Sequence, residues 1–152
     1  MKKNILFLCT GNSCRSILAE VILNHVGKER FKAYSAGSFP TGKVNPDSLS
    51  ALEKHGLPIT GLSSQSWHDF SNINFDLVIT VCDNAAGEVC PLYLGKAIKA
   101  HWGIADPDKV VGENRESAFE KAFKQMELRI DKMLKLDELT QENLNQIGNT
   151  TP

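Results

Sequence analysis

The chain opens on a short unbroken apolar run, Ile5-Leu6-Phe7-Leu8, that stops at Cys9 and Thr10. Apolar residues in a row, without alternation, mark a strand covered on both faces, so a buried parallel strand is expected here. Ile17, Leu18, Val21, Ile22 and Val26 then recur at helical spacing and predict an amphipathic helix over 16–29. Ala33-Tyr34-Ser35-Ala36 predicts a short second strand, ended by Gly37. A helix is expected from Pro46 to His55, with Asn45 as its N-cap, Pro46 at its first position and Gly56 just past its end. Leu77-Val78-Ile79-Thr80-Val81 predicts a third, buried strand, and Ala97 to His101 a weaker fourth. From Glu116 to Leu136 a long helix is expected, apolar at Ala118, Phe119, Ala122, Phe123, Met126, Ile130, Met133 and Leu134. Beyond it the chain turns polar, and residues 137–152 are expected to form a loose tail.

Strands alternating with helices predict an α/β protein. The expectation is one three-layer domain over residues 1–136, a four-stranded parallel sheet with helices on both faces. In such sheets ligands bind beyond the carboxyl ends of the strands, at the point where the strand order reverses. Cys9 ends the first expected strand, Cys82 the third, and Asp106 follows the fourth. Three chemically capable groups, distant in sequence, are thus sent to one edge of the sheet.

Composition narrows the classes. A chain of 152 residues can bury a real core. Its net charge of −1, without a basic block, argues against nucleic acid as a partner. No apolar run approaches the ~20 residues that span a bilayer, so no membrane partner is expected. Met1-Lys2-Lys3 is followed by Asn4 and an apolar stretch too short for a signal peptide. A cytoplasmic, monomeric protein is expected, with the thiols of Cys9, Cys14, Cys82 and Cys90 reduced unless they do redox work. Two structural disulfides would be the alternative use of four cysteines. The gaps between them are wider than the close pairs of zinc sites, so no metal and no cofactor is expected.

The most specific signal is Cys9-Thr10-Gly11-Asn12-Ser13-Cys14-Arg15-Ser16, set between strand and helix. Backbone N–H groups at a helix N-terminus, aided by the helix dipole, can wrap a tetrahedral oxyanion. Gly11, Asn12 and Ser13 suit the unusual backbone angles of such a cradle. Arg15 would close over the anion with its paired donors. The same positive field would lower the Cys9 pKa and make it a thiolate nucleophile, and the Ser16 hydroxyl could donate to it. The bland alternative is a buried strand-end cysteine beside an unrelated surface arginine.

The segment Cys82-Asp83-Asn84-Ala85-Ala86-Gly87-Glu88-Val89-Cys90 joins two thiols through residues that suit a mobile loop or short helix. Cys82 would open onto the pocket that holds Cys9, where a second thiol has a use in disulfide exchange. In His101-Trp102-Gly103-Ile104-Ala105-Asp106-Pro107, Asp106 can hang over the pocket as a general acid, although an Asp-Pro turn is common in any protein. His101 and Trp102 are expected to finish the strand and pack the loop. His25, His55 and His68 are expected to be solvated or helix-surface residues.

Together, Cys-Thr-Gly-Asn-Ser-Cys-Arg-Ser, the pair Cys82 and Cys90, and His-Trp-Gly-x-x-Asp-Pro resemble the arsenate reductases of the low-molecular-weight tyrosine phosphatase fold, over about residues 3 to 135. The resemblance implies that Cys9 attacks arsenate while Arg15 and the amides of residues 10 to 15 hold the oxygens. It implies that Asp106 protonates the departing oxygen, that Cys82 attacks the Cys9–arsenic adduct, and that Cys90 then yields a Cys82–Cys90 disulfide for an external reductant. Cys14 would serve the cradle through its backbone. The Cys82–Cys90 segment is one residue longer than in typical thioredoxin-linked members, which leaves thioredoxin or glutaredoxin as the reductant. Some members bind potassium beside the loop; Asn12, Glu20 and Ser35 match that pattern, but Gln65 stands in place of an aspartate. A lost carboxylate weakens a hard-cation site.

Two other functions compete. A small tyrosine phosphatase would need only Cys9, Arg15 and Asp106, and would favour rim aromatics where Asp108, Lys109 and Val110 stand. An oxyanion sensor would need the cradle without the thiol relay.

Overall fold

Leu8 pairs with Ala36 on one side and Thr80 on the other, which makes β1 (Lys3–Leu8) an inner strand. In this computed structural model, which describes residues 2–82 and 94–149, β2 (Phe31–Ala36), β1, β3 (Leu77–Thr80) and β4 (Ile98–His101) lie in that order, every neighbouring pair parallel. Ile5 to Leu8 and Leu77 to Ile79 are at most 1 % exposed. Successive strand residues face opposite sides, so both faces of the inner strands are covered, as the unbroken apolar runs predict. The chain moves from β1 outward to β2, then crosses back to β3 on the other flank of β1. The order therefore reverses between β1 and β3, and their carboxyl ends frame the switch point.

α1 (Arg15–Val26) follows β1 and is buried at Ser16, Ile17, Leu18, Ala19, Val21, Ile22 and Leu23. It is shorter than expected and less one-sided. Val26 is 49 % exposed rather than part of an apolar stripe, and Gly27 ends the helix with its N–H on the Leu23 carbonyl. α2 (Pro46–Lys54) starts as its sequence signals require: the Asn45 side chain accepts from Asp47 N at 2.8 Å, and Gly56 takes a positive φ of 71°. α3 (Arg115–Leu134) buries Phe119, Ala122, Phe123, Met126, Ile130 and Met133. It also buries Arg129, a charge set among apolar neighbours that the periodicity did not flag.

The expectation of a loose tail is overturned. Residues 141–148 form α4 (Gln141–Gly148), capped by Thr140, whose side chain accepts from Asn143 N. Leu144 and Ile147, three apart, supply a small apolar face that is buried. The helix docks against the edge strand. Asn145 accepts from His101 N at 2.9 Å, Leu144 O accepts from Trp102 Nε1 at 2.8 Å, and a Cβ on Gly148 would lie 2.2 Å from the His101 carbonyl. A mostly polar segment folds here because it covers an exposed sheet edge and satisfies a buried indole. Leu144→Ala should therefore cost about 2–5 kcal/mol, read as a lower urea midpoint. A change below about 0.5 kcal/mol, typical of surface substitutions, would show that the helix is not docked.

Candidate active site

The segment from Cys9 to Cys14 turns the chain from β1 into α1. Asn12 makes the turn possible with φ of 45°, the left-handed region that asparagine tolerates. Its buried side chain braces the turn, donating to Ser16 Oγ at 2.9 Å and accepting from Gln65 N at 2.8 Å. The carbonyls of the loop are tied up from outside. Thr10 O accepts from Phe39 N, Gly11 O from Thr41 N and Ser64 Oγ, and Ser13 O from Asn45 N. The N–H groups of Ser13, Cys14 and Arg15 have no acceptor among the described residues, and α1 has no side-chain cap. Donors left without acceptors while the carbonyls are satisfied, at the positive end of a helix, are an arrangement that can hold an anion.

Gly37 brings the end of β2 against this loop. A Cβ there would lie 2.3 Å from Thr10 O and 2.6 Å from Cys9 O, both backbone atoms that cannot swing away. Gly37→Ala should displace the loop and lower kcat/KM on the order of 100-fold, with a matching weakening of phosphate binding in an NMR titration. Wild-type binding would show that the loop yields without loss of shape.

A pocket of about 720 Å³ opens on the loop, lined by Cys9, Thr10, Gly11, Arg15, Cys82, the segment from Gly103 to Asp106, and Lys109. No disulfide joins Cys9, Cys14 and Cys82 to one another. Cys82 lines the pocket beside Cys9, and its Sγ lies 3.9 Å from Thr10 Oγ1. This neighbour corrects the expectation of a lowered Cys9 pKa. Cys9 is pushed well above the ordinary thiol range, first by the hydrogen bond to Cys82 and then by burial. The Arg15 charge and the Gly11 N–H pull the other way. Two sulfurs in contact share one ionisation, and the second is opposed by like charge.

Arg15 donates from Nη1 to Ile104 O at 2.8 Å and places Nη2 3.5 Å from Asp106 Oδ2; its Nε is buried without an acceptor among the described residues. The carboxyl of Asp106 is thus brought over the thiol pocket by the loop that follows β4. The buried Arg129 donates to Gly103 O at 3.0 Å in the same loop, and burial lowers its pKa. Sequence reasoning missed this arginine. Its spacing from Met126 and Met133 in the apolar stripe was the available signal.

Other expected site residues face away. Cys14 lies with Ala51 and Phe119 in a small separate core, its thiol pushed up to about 12 chiefly by burial, so only its backbone serves the loop. Ser16 accepts from Asn12 rather than bonding Cys9. Cys90 lies outside the described residues. His101 finishes β4 with Nδ1 2.7 Å from Thr80 Oγ1, and Trp102 is fully buried beside Phe7, as expected. His55, at the end of α2, stacks on Phe123 at 3.9 Å and meets Glu120 Oε1 at 2.8 Å.

The residues matching a potassium site do not fit a cation. Gln65 Nε2 donates to Ser35 O at 3.1 Å, Ser35 Oγ donates to Glu20, and Asn12 Oδ1 accepts from Gln65 N. An amide donor stands where a hard cation needs an oxygen. The oxygens around it are already engaged, and burial raises the Glu20 pKa.

A parallel sheet with a cysteine-arginine oxyanion loop at its switch point, faced by an aspartate, defines a phosphatase-like enzyme class. Residues 4–145 match the family "Low molecular weight phosphotyrosine protein phosphatase", and the chain belongs to that family. It is 39 % identical over 140 residues to an arsenate reductase of Shouchella clausii, covering 90 % of this chain and 99 % of that protein. Its fold is similar to that of an arsenate reductase in its phosphate-binding state (TM-score 0.74, 26 % identity, 87 % of this chain, 96 % of the other). It is also similar to a thioredoxin-dependent arsenate reductase of Corynebacterium glutamicum (TM-score 0.69, 26 % identity, 88 % of this chain, 61 % of the other).

Proposed function

We propose that this protein reduces arsenate to arsenite through a thiol relay. The observation that carries the reading is that Cys82 lines the same pocket as Cys9, with its Sγ 3.9 Å from Thr10 Oγ1 of the oxyanion loop. A phosphatase has no need of a second thiol there. The similarity to arsenate reductases supports the same substrate.

Arsenate enters the loop, its oxygens on the amides of residues 10 to 15 and on Arg15. Cys9 gives its proton to the bound arsenate and attacks arsenic as the thiolate, with the Arg15 charge and the Gly11 N–H opposing the pull of Cys82 and burial toward the thiol. Asp106 donates a proton to the departing oxygen, which leaves as water. Cys82, as thiolate, then attacks Cys9 Sγ. The sulfur–arsenic bond breaks and its electron pair stays on arsenic, which falls from As(V) to As(III) and leaves as arsenite. A Cys9–Cys82 disulfide remains. Cys90 attacks Cys82 Sγ, freeing Cys9 and forming Cys82–Cys90, which an external dithiol reduces. Thioredoxin is the reductant this reading favours, by likeness to the thioredoxin-dependent relative; glutaredoxin with a small thiol is the alternative. Such recycling suits the reducing cytoplasm.

The test is steady-state arsenate reduction, followed as arsenite formed, with purified thioredoxin, its reductase and NADPH, or with glutaredoxin and glutathione. Turnover with either system supports the reading and identifies the reductant. No arsenite with either overturns it. One observation favours a second reading, phosphate-monoester hydrolysis through a Cys9 phosphoenzyme. Phe39, on the segment bonded to Thr10 O, is 75 % exposed and offers an aromatic face near the loop. Aryl-phosphate hydrolysis without arsenate reduction would be its signature.

A further inference from the structure

Asp106 sits at the head of a short 3-10 turn, Pro107–Lys109, and its carboxylate accepts from Asp108 N at 3.0 Å. This turn is gripped from outside by Arg115, the first residue of α3. Arg115 Nη1 donates to Asp108 O and Val110 O, both at 3.0 Å, and Nη2 donates to Asp108 Oδ1 at 2.7 Å. Nε donates to Asp47 Oδ2 on α2 at 2.7 Å, and the guanidinium lies 4.9 Å over the Phe119 ring. Asp108 Oδ1 also accepts from Asn45 Nδ2 at 3.0 Å, and Asn45 N donates to Ser13 O of the oxyanion loop at 2.8 Å. A continuous path therefore runs from the turn carrying Asp106, through Asp108 and Asn45, to the loop carrying Cys9. One guanidinium holds that path together.

We infer that Arg115 is a positioning residue: it sets Asp106 at the right distance from the oxyanion loop by clamping the Pro107–Lys109 turn to α2. The inference rests on the proposed role of Asp106 as general acid. Arg115 itself is not among the residues that line the pocket. Four bonds that fan out from one plane to a carboxylate on each side and two carbonyls require the rigid fork of arginine. A lysine ammonium, a point charge with three donors, cannot span them. An acid displaced by about 1 Å can lose on the order of 100-fold in rate. The anion itself is held by Arg15 and loop amides, so its affinity should be nearly independent of the clamp.

The test is a double-mutant cycle on single-turnover arsenate reduction by the pre-reduced full-length protein, with arsenate affinity measured separately. Arg115→Lys should slow the chemical step at least about tenfold while arsenate affinity changes less than about twofold. In the Asp106→Asn background, Arg115→Lys should add almost nothing, because a residue acting only through Asp106 has nothing left to position. Additive losses would overturn the inference, since they mean that Arg115 acts on general integrity. So would an unchanged rate for Arg115→Lys in a protein that still slows on Asp106→Asn. If Asp106→Asn itself keeps the wild-type rate, the acid role fails first, and the positioning role with it. Asp108→Ala supplies a second variant at an exposed site should Arg115→Lys not fold. It removes the shared acceptor of Arg115 and Asn45 but keeps the backbone N–H on Asp106, and the same coupling is expected. A rate unchanged in that variant would overturn the clamp.

Discussion

Arsenate turnover is expected to stop in Cys82→Ser, while Cys9 becomes easier to alkylate. Serine can hydrogen-bond the Cys9 sulfur but cannot attack it to form a disulfide, so the arsenic adduct has no internal resolving thiol. The second effect follows from the sign of the Cys9 shift. The largest cause raising it is the hydrogen bond to Cys82, and the charge of Cys82 adds to it. Removing the partner thiol leaves Arg15 and the Gly11 N–H, which lower the Cys9 pKa, opposed by burial alone. Alkylation of the Cys9 peptide, followed by mass spectrometry, should reach half its maximal rate at a pH lower by more than about one unit. Cys90→Ser should fail later: one arsenite per enzyme, then arrest as a Cys9–Cys82 disulfide visible in peptide maps. Wild-type turnover in Cys82→Ser with the same reductant would mean that an external thiol attacks the adduct directly.

Asp106→Asn is expected to slow the first chemical step by about 100- to 10,000-fold, the usual worth of general acid catalysis, without weakening anion binding. Asp106 lies 3.5 Å from Arg15. An asparagine there removes a negative charge that repels the incoming oxyanion and competes for the guanidinium. Affinity for phosphate should hold steady or rise. Rapid-quench single turnovers and phosphate titration separate the two effects. An unchanged single-turnover rate would reduce Asp106 to the cap of its turn, and a large loss of affinity would make it a binding residue.

Much of this site was legible along the chain, because its parts are local. The oxyanion loop needs a strand end, a helix start and residues that accept unusual backbone angles, all within eight consecutive positions. The unbroken apolar runs of β1 and β3 announced strands covered on both faces, and the switch-point rule then sent Cys9, Cys82 and Asp106 to one edge. Asn45 and Gly56 marked the ends of α2 through their own capping and backbone chemistry. In each case the determining interaction spans a few residues, so the sequence by itself carries it.

Tertiary structure decided the rest, where the determining partner is distant in sequence. Residues 141–148 are helical because His101, Trp102 and the β4 edge give them something to cover; their own composition is too polar to announce it. The shift of Cys9 was read with the wrong sign because the dominant influence comes from a thiol 73 positions away, not from the local positive field. Arg129 and Gly37 matter through backbone carbonyls across the fold. Gln65 satisfies Ser35 and braces Asn12, partners 30 and 53 positions away. Sequence offers the groups that could do chemistry; packing decides which of them meet, because proton affinity and backbone satisfaction depend on neighbours that only the folded chain brings within hydrogen-bond distance.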